Sequence, residues 1–472
     1  MRSGAEDPHL VDVELVDDPP PAGGAPAPDD DPPAGRVRRH VRAWLAVAAL
    51  VALVVVTGLG NVAAMRRDEN RLAALADLPG FLDPLAAPLE VAWRAGAGTP
   101  VARTDTAVLV VGDDELRALD LADGHPHWAR AVDHGQTCRP VAAEVGPDVP
   151  LVREVLCLPD ADRGLPRDGA LAVVDATTGA EVRRRAVAGL MFADVVDSHV
   201  LLTSAEPDGG VAVVAWDPAT GVDLWHHRSR PRLLDALVAA GGGRYTLRHG
   251  VLAIGSARHG FALDAATGAP LVGEAARPGT GESVALPGGG EARWSHDRLG
   301  RPTEVTVAGR DGERLFTAPG VPWLARVSDG SSSDVLVVRR TGDQHLVGLD
   351  AATGRVRWDL PNLPWLRPSV LVSGVTVGVG PSRAVALDLG TGLRLWDHQG
   401  TAALRGWHAL TDGRLVLLPR EDGVGGLWLT ARRLRTGDVA WEVPLPRGAL
   451  SLQQVDGRTV LVRTATGLVA LR

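Results

Sequence analysis

From residue 90 onward one short pattern recurs, and it limits the folds open to this chain. An apolar strand ends in Asp, and a turn that closes on Gly follows four residues later. Asp can bond its own backbone to start a turn, and Gly supplies the positive φ that ends it, so each copy predicts a β-hairpin. The six clear copies are Asp120 to Gly124, Asp175 to Gly179, Asp217 to Gly221, Asp264 to Gly268, Asp350 to Gly354 and Asp388 to Gly392.

Tryptophan repeats with the turn, four residues after Gly, and accounts for much of an unusual aromatic content of 13 Trp against 4 Phe and 1 Tyr. Two weaker copies end at Gly312 and Gly437. A large ring that returns to one strand position predicts stacking between neighbouring sheets and not a ligand site. The Trp copies are Trp128, Trp225, Trp358, Trp396 and Trp441, and the other three copies have Arg183, Val272 and Phe316.

The period of the repeat indicates an all-β fold of the propeller type. Successive turn glycines lie 38 to 55 residues apart, which is the length of a four-stranded blade. A β-sandwich, the alternative for many short strands, would not repeat one turn eight times. The segment 89–93 resembles the strand after the turn and 468–471 the strand before it, so the two chain ends are predicted to share a blade. Eight blades are favoured, with seven to nine possible.

Three segments precede the predicted propeller at residues 89–472. Residues 1–35 hold nine acidic residues against one Arg and are rich in Pro, which predicts a disordered tail. Within it, residues 9–16 roughly alternate apolar and acidic side chains; they are favoured as part of the solvated tail, with strand addition to a cytoplasmic partner as the alternative. Residues 36–67 are predicted to form a transmembrane helix with a basic flank. Residues 68–88 are predicted to be a stalk or linker, since Pro79, Pro84 and Pro88 end its helical spacing.

The membrane prediction depends on an apolar run from Ala43 to Met65, long enough to span a bilayer. Four Arg precede it and two follow, which favours an N-terminus in the cytoplasm and a propeller outside the cytoplasmic membrane. A cleaved signal peptide ending near Ala64 is the alternative, although its basic region would be unusually long.

Cys138 and Cys157 are the only cysteines and fall on the first two predicted strands of one blade. Antiparallel neighbours can meet disulfide geometry, and the predicted compartment is oxidising, so a disulfide is predicted. Two free thiols, or a redox or metal role, are the alternatives.

Other motifs with chemistry are weak. His226 and His227 are adjacent on a strand and would point to opposite faces, while His125 and His127 lack a nearby ligand at metal spacing. The propeller segment is close to neutral, because the tail alone accounts for the net charge of -8. Nucleic acid is therefore not expected as a partner.

The series from Leu349 to Trp358, Leu-Asp-Ala-x-Thr-Gly-x-x-x-Trp, resembles the PQQ-like repeat. Families with this repeat include quinoprotein dehydrogenases and BamB-like assembly factors. The resemblance implies, for the dehydrogenases, pyrroloquinoline quinone and Ca²⁺ at the propeller axis, an Asp base and often a disulfide between adjacent cysteines. For BamB-like members it implies protein binding without a cofactor. Because Cys138 and Cys157 are not adjacent and no Ca²⁺ segment can be matched, no catalytic, cofactor or metal residue is assigned.

The sequence therefore favours a membrane-anchored, extracytoplasmic propeller that binds protein or cell-envelope ligands without catalysis. A diverged quinone-dependent oxidoreductase is the first alternative. The second is a sensor that reports an extracytoplasmic ligand through residues 1–35. The absence of lysine indicates a GC-rich bacterial genome.

Overall fold

The computed structural model describes residue 66 and most of residues 68–472. The predicted tail and the apolar run Ala43–Met65 lie outside the described residues, so both stay predictions. No helix within the described part of the chain has the length and apolarity needed to cross a membrane. The gaps after residue 68 are 134–135, 142–147, 160–165, 197, 236–243, 249, 256–259, 272–279, 287–288, 297–301, 362, 364–365 and 403–407.

The described residues form short antiparallel strands that we group into units of four. The first strand of the chain is β1 (Val91–Gly96), and the next three units follow it in order. Unit 2 is β2 (Thr99–Arg103), β3 (Ala107–Val111), β4 (Glu115–Asp120) and β5 (Pro126–Ala131); unit 3 is β6 (Gln136–Pro140), β7 (Glu154–Pro159), β8 (Arg167–Asp175) and the first half of β9 (Glu181–Val196); unit 4 is the second half of β9, β10 (His199–Ala205), β11 (Val211–Trp216) and β12 (Asp223–Arg228).

The pattern continues through the second half of the chain, where units 5, 6 and 7 follow. Unit 5 is β13 (Arg244–Arg248), β14 (Val251–Gly255), β15 (Gly260–Asp264) and β16 (Pro270–Leu271); unit 6 is β17 (Thr280–Ala285), β18 (Glu291–His296), β19 (Pro302–Ala308) and β20 (Arg314–Pro319); unit 7 is β21 (Val321–Pro322), β23 (Val335–Arg339), β24 (Leu346–Asp350) and β25 (Val356–Leu360).

Two further units and the closing strands complete the series. A two-residue strand, β22 (Val327–Ser328), lies between β21 and β23 in sequence and pairs parallel with the first strand of unit 8. Unit 8 is β26 (Arg367–Val372), β27 (Val375–Val379), β28 (Arg383–Asp388) and β29 (Arg394–Gln399); unit 9 is β30 (Leu410–Thr411), β31 (Leu415–Glu421), β32 (Leu427–Arg433) and β33 (Val439–Pro444); β34 (Ala449–Gln454), β35 (Val460–Thr464) and β36 (Gly467–Leu471) join β1 to form unit 1.

Burial along the strands shows how the units pack. All five residues of β27 are buried, while β12, the fourth strand of its unit, alternates exposed and partly buried residues. A strand that is covered on both faces has apolar residues at successive positions, whereas a strand at the rim of a sheet also has polar residues. The first strands of neighbouring units also contact each other, as β2 does with β6. The second and third strands therefore make up the core, and the fourth strand lies outermost.

The described strands form eight sheets but nine units. Strand β9 is 16 residues long and belongs to two units, so units 3 and 4 merge into one seven-stranded sheet. The favoured count of eight thus equals the number of sheets, while the number of repeat units is nine, the upper end of the predicted range. A continuous β9 replaces the loop that elsewhere separates one unit from the next.

The two ends of the repeat region meet in unit 1. Strand β1 pairs antiparallel with β36, with Val91 opposite Leu471. The backbones of Glu90 and Arg472 extend this ladder with bonds in both directions. The first strand thus completes the sheet formed by the last three strands, which leaves no unpaired inner edge between the chain ends.

Residues 68–89, which we call the strap, belong to the same compact unit as the sheets. The strap begins with a helix, α1, over residues 68–76. Leu72 and Leu75 on α1 are almost fully buried against the cores of units 8 and 9, and Phe81 is 1% exposed. The segment predicted as a linker is therefore packed along its length.

The strap also contributes to unit 1, where the chain ends cannot form the usual turn. In the other units the third and fourth strands are joined by a short turn, which has the Asp–Gly pair in six of them, but in unit 1 these strands are β36 and β1, at opposite ends of the repeat region. The Nε1 of Trp441 in unit 9 donates to the carbonyl of Leu85, 3.4 Å away. At four other seams the equivalent residue (Trp93, Trp225, Trp358 or Trp396) donates to a turn carbonyl of the next unit, so the strap takes the place of the missing turn.

Candidate functional site

The repeated Asp residues each hold their own turn. In all six clear copies the Gly N–H donates to the Asp carbonyl, 2.7–2.9 Å away, and the Gly has a φ between +69° and +80°. The Asp carboxylates accept backbone N–H groups two or three residues further on, as Asp175 does from Thr178 at 2.7 Å. These carboxylates thus have the same structural task in each unit.

Local hydrogen bonds stabilise the ionised form of several of these carboxylates. The side chain of Arg357, and then Thr353, lowers the pKa of Asp350 to about 2. A bond from the His127 imidazole, with backbone N–H groups, lowers the pKa of Asp120, and the Thr178 hydroxyl does the same for Asp175. A carboxylate held ionised by its own turn is poorly suited to accept a proton near neutral pH.

The repeated Trp and Gly residues form the seams between units. Trp358 of unit 7 lies over Gly392 of unit 8, where a Cβ would stand 2.6 Å from the indole Cγ. Its Nε1 donates to the carbonyl of Leu389 at 2.7 Å. The same contact recurs at other seams, between Trp93 and Gly124, Trp128 and Gly179, Trp225 and Gly268, and Trp396 and Gly437.

Two units without Trp fill the same place in other ways. Arg183 of unit 3 lies against Gly221, and its guanidinium donates to the carbonyl of Pro218 at 2.7 Å. Phe316 of unit 6 packs on Gly354. Val272, the equivalent residue of unit 5, lies outside the described residues. At these seams the residue four positions after the turn Gly, whether Trp, Phe or Arg, therefore packs against the turn Gly of the next unit.

The predicted disulfide is confirmed. Cys138 on β6 and Cys157 on β7 face each other directly in the strand register of unit 3, and their sulfurs are bonded. Both side chains are buried in the core that units 2 and 3 share. The bond therefore links the first two strands of one unit, as expected from the sequence.

The histidines that the sequence singled out lie apart from one another. His127 Nε2 is 2.7 Å from the Asp120 carboxylate, within a single turn. His227 packs on the ring of Phe261, with centroids 4.9 Å apart, and burial lowers its pKa. In the part of the chain that the structure describes, no three His, Cys, Asp or Glu side chains are grouped so as to hold a metal ion.

A partly buried ionic cluster that the sequence did not predict joins residues from four units. The Asp148 carboxylate, 7% exposed, contacts Arg326 Nη2 at 2.5 Å and His408 Nε2 at 3.5 Å. It also accepts the backbone N–H of Gln454 at 3.0 Å, and the Gln454 amide donates to the Phe81 carbonyl of the strap. The cluster joins units 3, 7, 9 and 1, and no repeat position marks it in the sequence.

The comparison with protein families matches the second half of the chain. The sequence model of the family described as "Outer membrane protein assembly factor BamB" covers residues 280–470. No curated protein matches the chain. The chain thus carries BamB-like repeats of the PQQ type in units 6 to 9 and in the closing strands of unit 1.

Solved structures similar to this chain include BamB, an alcohol dehydrogenase and the Dos1 propeller. BamB from Moraxella catarrhalis is 14% identical, with a TM-score of 0.38, 81% of this chain covered and 99% of that one. Quinohemoprotein alcohol dehydrogenase from Comamonas testosteroni is 16% identical, with a TM-score of 0.39 and coverage of 81% and 76%. The Dos1 propeller is 9% identical, with a TM-score of 0.39 and coverage of 81% and 94%.

Proposed function

We propose that this protein is a binding or scaffold module, anchored in the cytoplasmic membrane with its propeller outside, that takes a protein or cell-envelope ligand without catalysis. The observation that carries the proposal is that the repeat residues and the two cysteines have structural roles. The Asp carboxylates hold turns, the Trp rings fill seams, and Cys138 and Cys157 are bonded to each other. The residues with the most distinctive chemistry thus support the fold, which leaves the surface for recognition.

The family match supports the same proposal. Residues 280–470 match a family described as an assembly factor, a role that depends on contacts with other proteins. Because fold and function separate readily among propellers, this match favours protein binding without defining the partner.

The quinone-dependent alternative places specific demands on the protein that its residues do not fit. Cys138 and Cys157 pair across neighbouring strands, and neither can form the ring of adjacent cysteines expected from the enzymes that the repeat resembles. The repeated Asp residues share one structural task, so none of the six stands out as a base. We derive no chemical step through pyrroloquinoline quinone.

The test is a titration of the full-length protein, in detergent, with pyrroloquinoline quinone and Ca²⁺. Tryptophan fluorescence is followed first, and then dye reduction with a panel of alcohols and sugars. A known apo-dehydrogenase under the same conditions is the positive control. We expect no saturable quenching at tens of micromolar quinone. Saturable quenching together with substrate-dependent dye reduction would make the protein an oxidoreductase.

A further inference from the structure

Unit 9 breaks the repeat at a position that is otherwise apolar. Five residues before the turn Gly, the other units with this turn have a buried apolar side chain, and unit 9 has Arg432. Repeat positions that depart from a shared local rule are where function is expected. The apolar residues at this position are Leu119, Val174, Trp216, Leu263, Val307, Leu349 and Leu387.

Arg432 projects into the seam between units 8 and 9. Its Nη1 donates to the carbonyl of Gly437 at 2.8 Å, and its Nη2 lies 3.5 Å from Nε2 of His398 on β29. Its buried Nε has no hydrogen-bond partner among the described residues. Burial lowers the pKa of this guanidinium, Glu442 partly offsets the effect, and Arg420 adds to it.

The residues equivalent to His398 and Arg432 also contact each other at the seam between units 3 and 4. In unit 3, Arg185 stands two residues after the Trp position, as His398 does in unit 8, and its guanidinium lies over the ring of Trp216, 5.6 Å from the centroid. Trp216 occupies in unit 4 the position of Arg432 in unit 9. At that seam one cation meets an aromatic ring, whereas in unit 9 the guanidinium meets an imidazole.

A second guanidinium brings the seam to an excess of positive charge. Arg420 Nη2 lies 3.2 Å from Glu442, whose other carboxylate oxygen accepts from the Thr430 hydroxyl at 3.0 Å. Glu442 is thus engaged by Arg420 and Thr430. Glu442 is the carboxylate near both Arg432 and Arg420, while Asp397, next to His398, is paired with Arg383 and Arg394, so positive charges outnumber negative ones around His398.

We propose that the seam between units 8 and 9 binds a small oxyanion, a carboxylate or a phosphate, between Arg432, Arg420 and His398. The geometry carries the proposal, because Arg432 Nη2 and His398 Nε2 lie 3.5 Å apart, so that one acceptor oxygen seated beside the pair can accept from both once His398 is protonated. A partner's acidic side chain and a free anion supply the same group. The site goes beyond the proposed binding role and does not depend on the membrane anchor.

Binding is coupled to protonation of His398. The charged groups that face His398 are Arg432, Arg420, Glu442 and Asp397, and burial followed by the two arginines lowers its pKa. A bound anion favours the imidazolium and raises that pKa, so binding takes up a proton. Affinity therefore rises as pH falls through the pKa of the complex, and it levels off once His398 is protonated in both states.

The experiment uses inorganic phosphate and acetate as probes of the full-length protein in detergent, at ionic strength held constant with NaCl. Binding is followed by calorimetry and by the His398 ring shifts in NMR. Arg432→Leu restores the side chain that four other units have, so the fold is preserved, and we expect it to weaken phosphate binding at least tenfold. Arg458→Leu, a change at an arginine paired with Asp83 in the strap, is the matched control and binds phosphate like the unchanged protein.

Two further variants separate the parts of the proposal. His398→Gln should bind acetate, which stays mostly ionised over this range, at pH 8 and lose the gain in affinity at pH 5.5, while Glu442→Gln should bind acetate more tightly. A glutamate-containing peptide that binds more tightly than acetate and phosphate would identify the ligand as a protein side chain. Phosphate that binds more tightly than the peptide would identify the ligand as a free anion. The proposal is overturned if phosphate and acetate do not bind at 100 mM, or if Arg432→Leu binds them unchanged.

Discussion

At the residue scale, the turn glycines serve two purposes that substitutions can separate. Each has a positive φ, which costs a non-glycine residue about 1–2 kcal/mol. Gly392 in addition leaves no room for a Cβ, because the Trp358 ring lies 2.6 Å from where it would stand. Gly400 has a φ of +88° and open space around it, so an alanine at this position would have the backbone strain without a steric clash.

We therefore expect Gly392→Ala to lower the free energy of unfolding by about 1–3 kcal/mol more than Gly400→Ala, since the extra methyl group must displace a packed indole. Urea unfolding followed by far-ultraviolet circular dichroism measures the difference. Equal losses in the two variants would show that the Trp–Gly contact does not tighten the seam.

The low pKa of Asp350 gives a second prediction at this scale. Its pKa is about 2 in the folded protein, below the ordinary value of 3.8, with the Arg357 side chain as the largest cause. The stabilisation from this charge is therefore complete above about pH 4 and is lost as pH falls towards 2. Arg357→Leu should move the pKa back towards 3.8 in a carboxyl NMR titration, and an unchanged value would contradict the assigned cause.

At the scale of elements, the sequence could predict the hairpins and the disulfide, because both depend on near neighbours. Asp and Gly four residues apart define a turn, and Cys138 and Cys157 fall on adjacent strands of one unit. The cluster around Asp148 could not be predicted, because Arg326 and His408 approach it from distant units. The merging of units 3 and 4 through β9 had no signal in the turn spacing either.

The strap is an element whose packing the sequence only hinted at. The apolar spacing of Leu72 and Leu75 predicts a helix, but not the cores against which it packs. Leu75→Ala should lower the free energy of unfolding by about 2–5 kcal/mol, because it leaves a cavity against Gly413. Leu78, which is 38% exposed, is the matched control in the same segment, and Leu78→Ala should cost much less. Similar losses in urea unfolding would show that the strap is not docked.

The disulfide gives another prediction for an element. It closes a loop with a sequence separation of 19 residues between strands that are already paired. The chain-entropy relation gives about 3 kcal/mol for such a loop. A Cys138→Ala/Cys157→Ala variant should lower the urea midpoint, and a reducing agent should lower the midpoint of the unchanged protein but not that of the variant. A midpoint of the unchanged protein that is insensitive to the reducing agent would contradict this.

At the scale of the whole molecule, the two ends of the repeat region together complete unit 1. Strand β1 completes unit 1, and the strap supplies the carbonyl that the missing turn would have offered to Trp441. The sequence predicted the shared unit from the likeness of residues 89–93 to other fourth strands. It favoured eight units over nine within a range of seven to nine, because a weak turn such as that at Gly312 cannot be told from an insertion by spacing alone.

The central claim is that β1 is an integral strand of unit 1, paired with β36. Native-state hydrogen exchange, read by mass spectrometry on the full-length protein, tests it by comparing residues 91–96 with residues 467–471. The account predicts that the amides bonded between β1 and β36 exchange together, at the slow rate set by opening of the whole unit. Fast exchange of residues 91–96 beside protected residues 467–471 would show that the first strand is not part of that sheet.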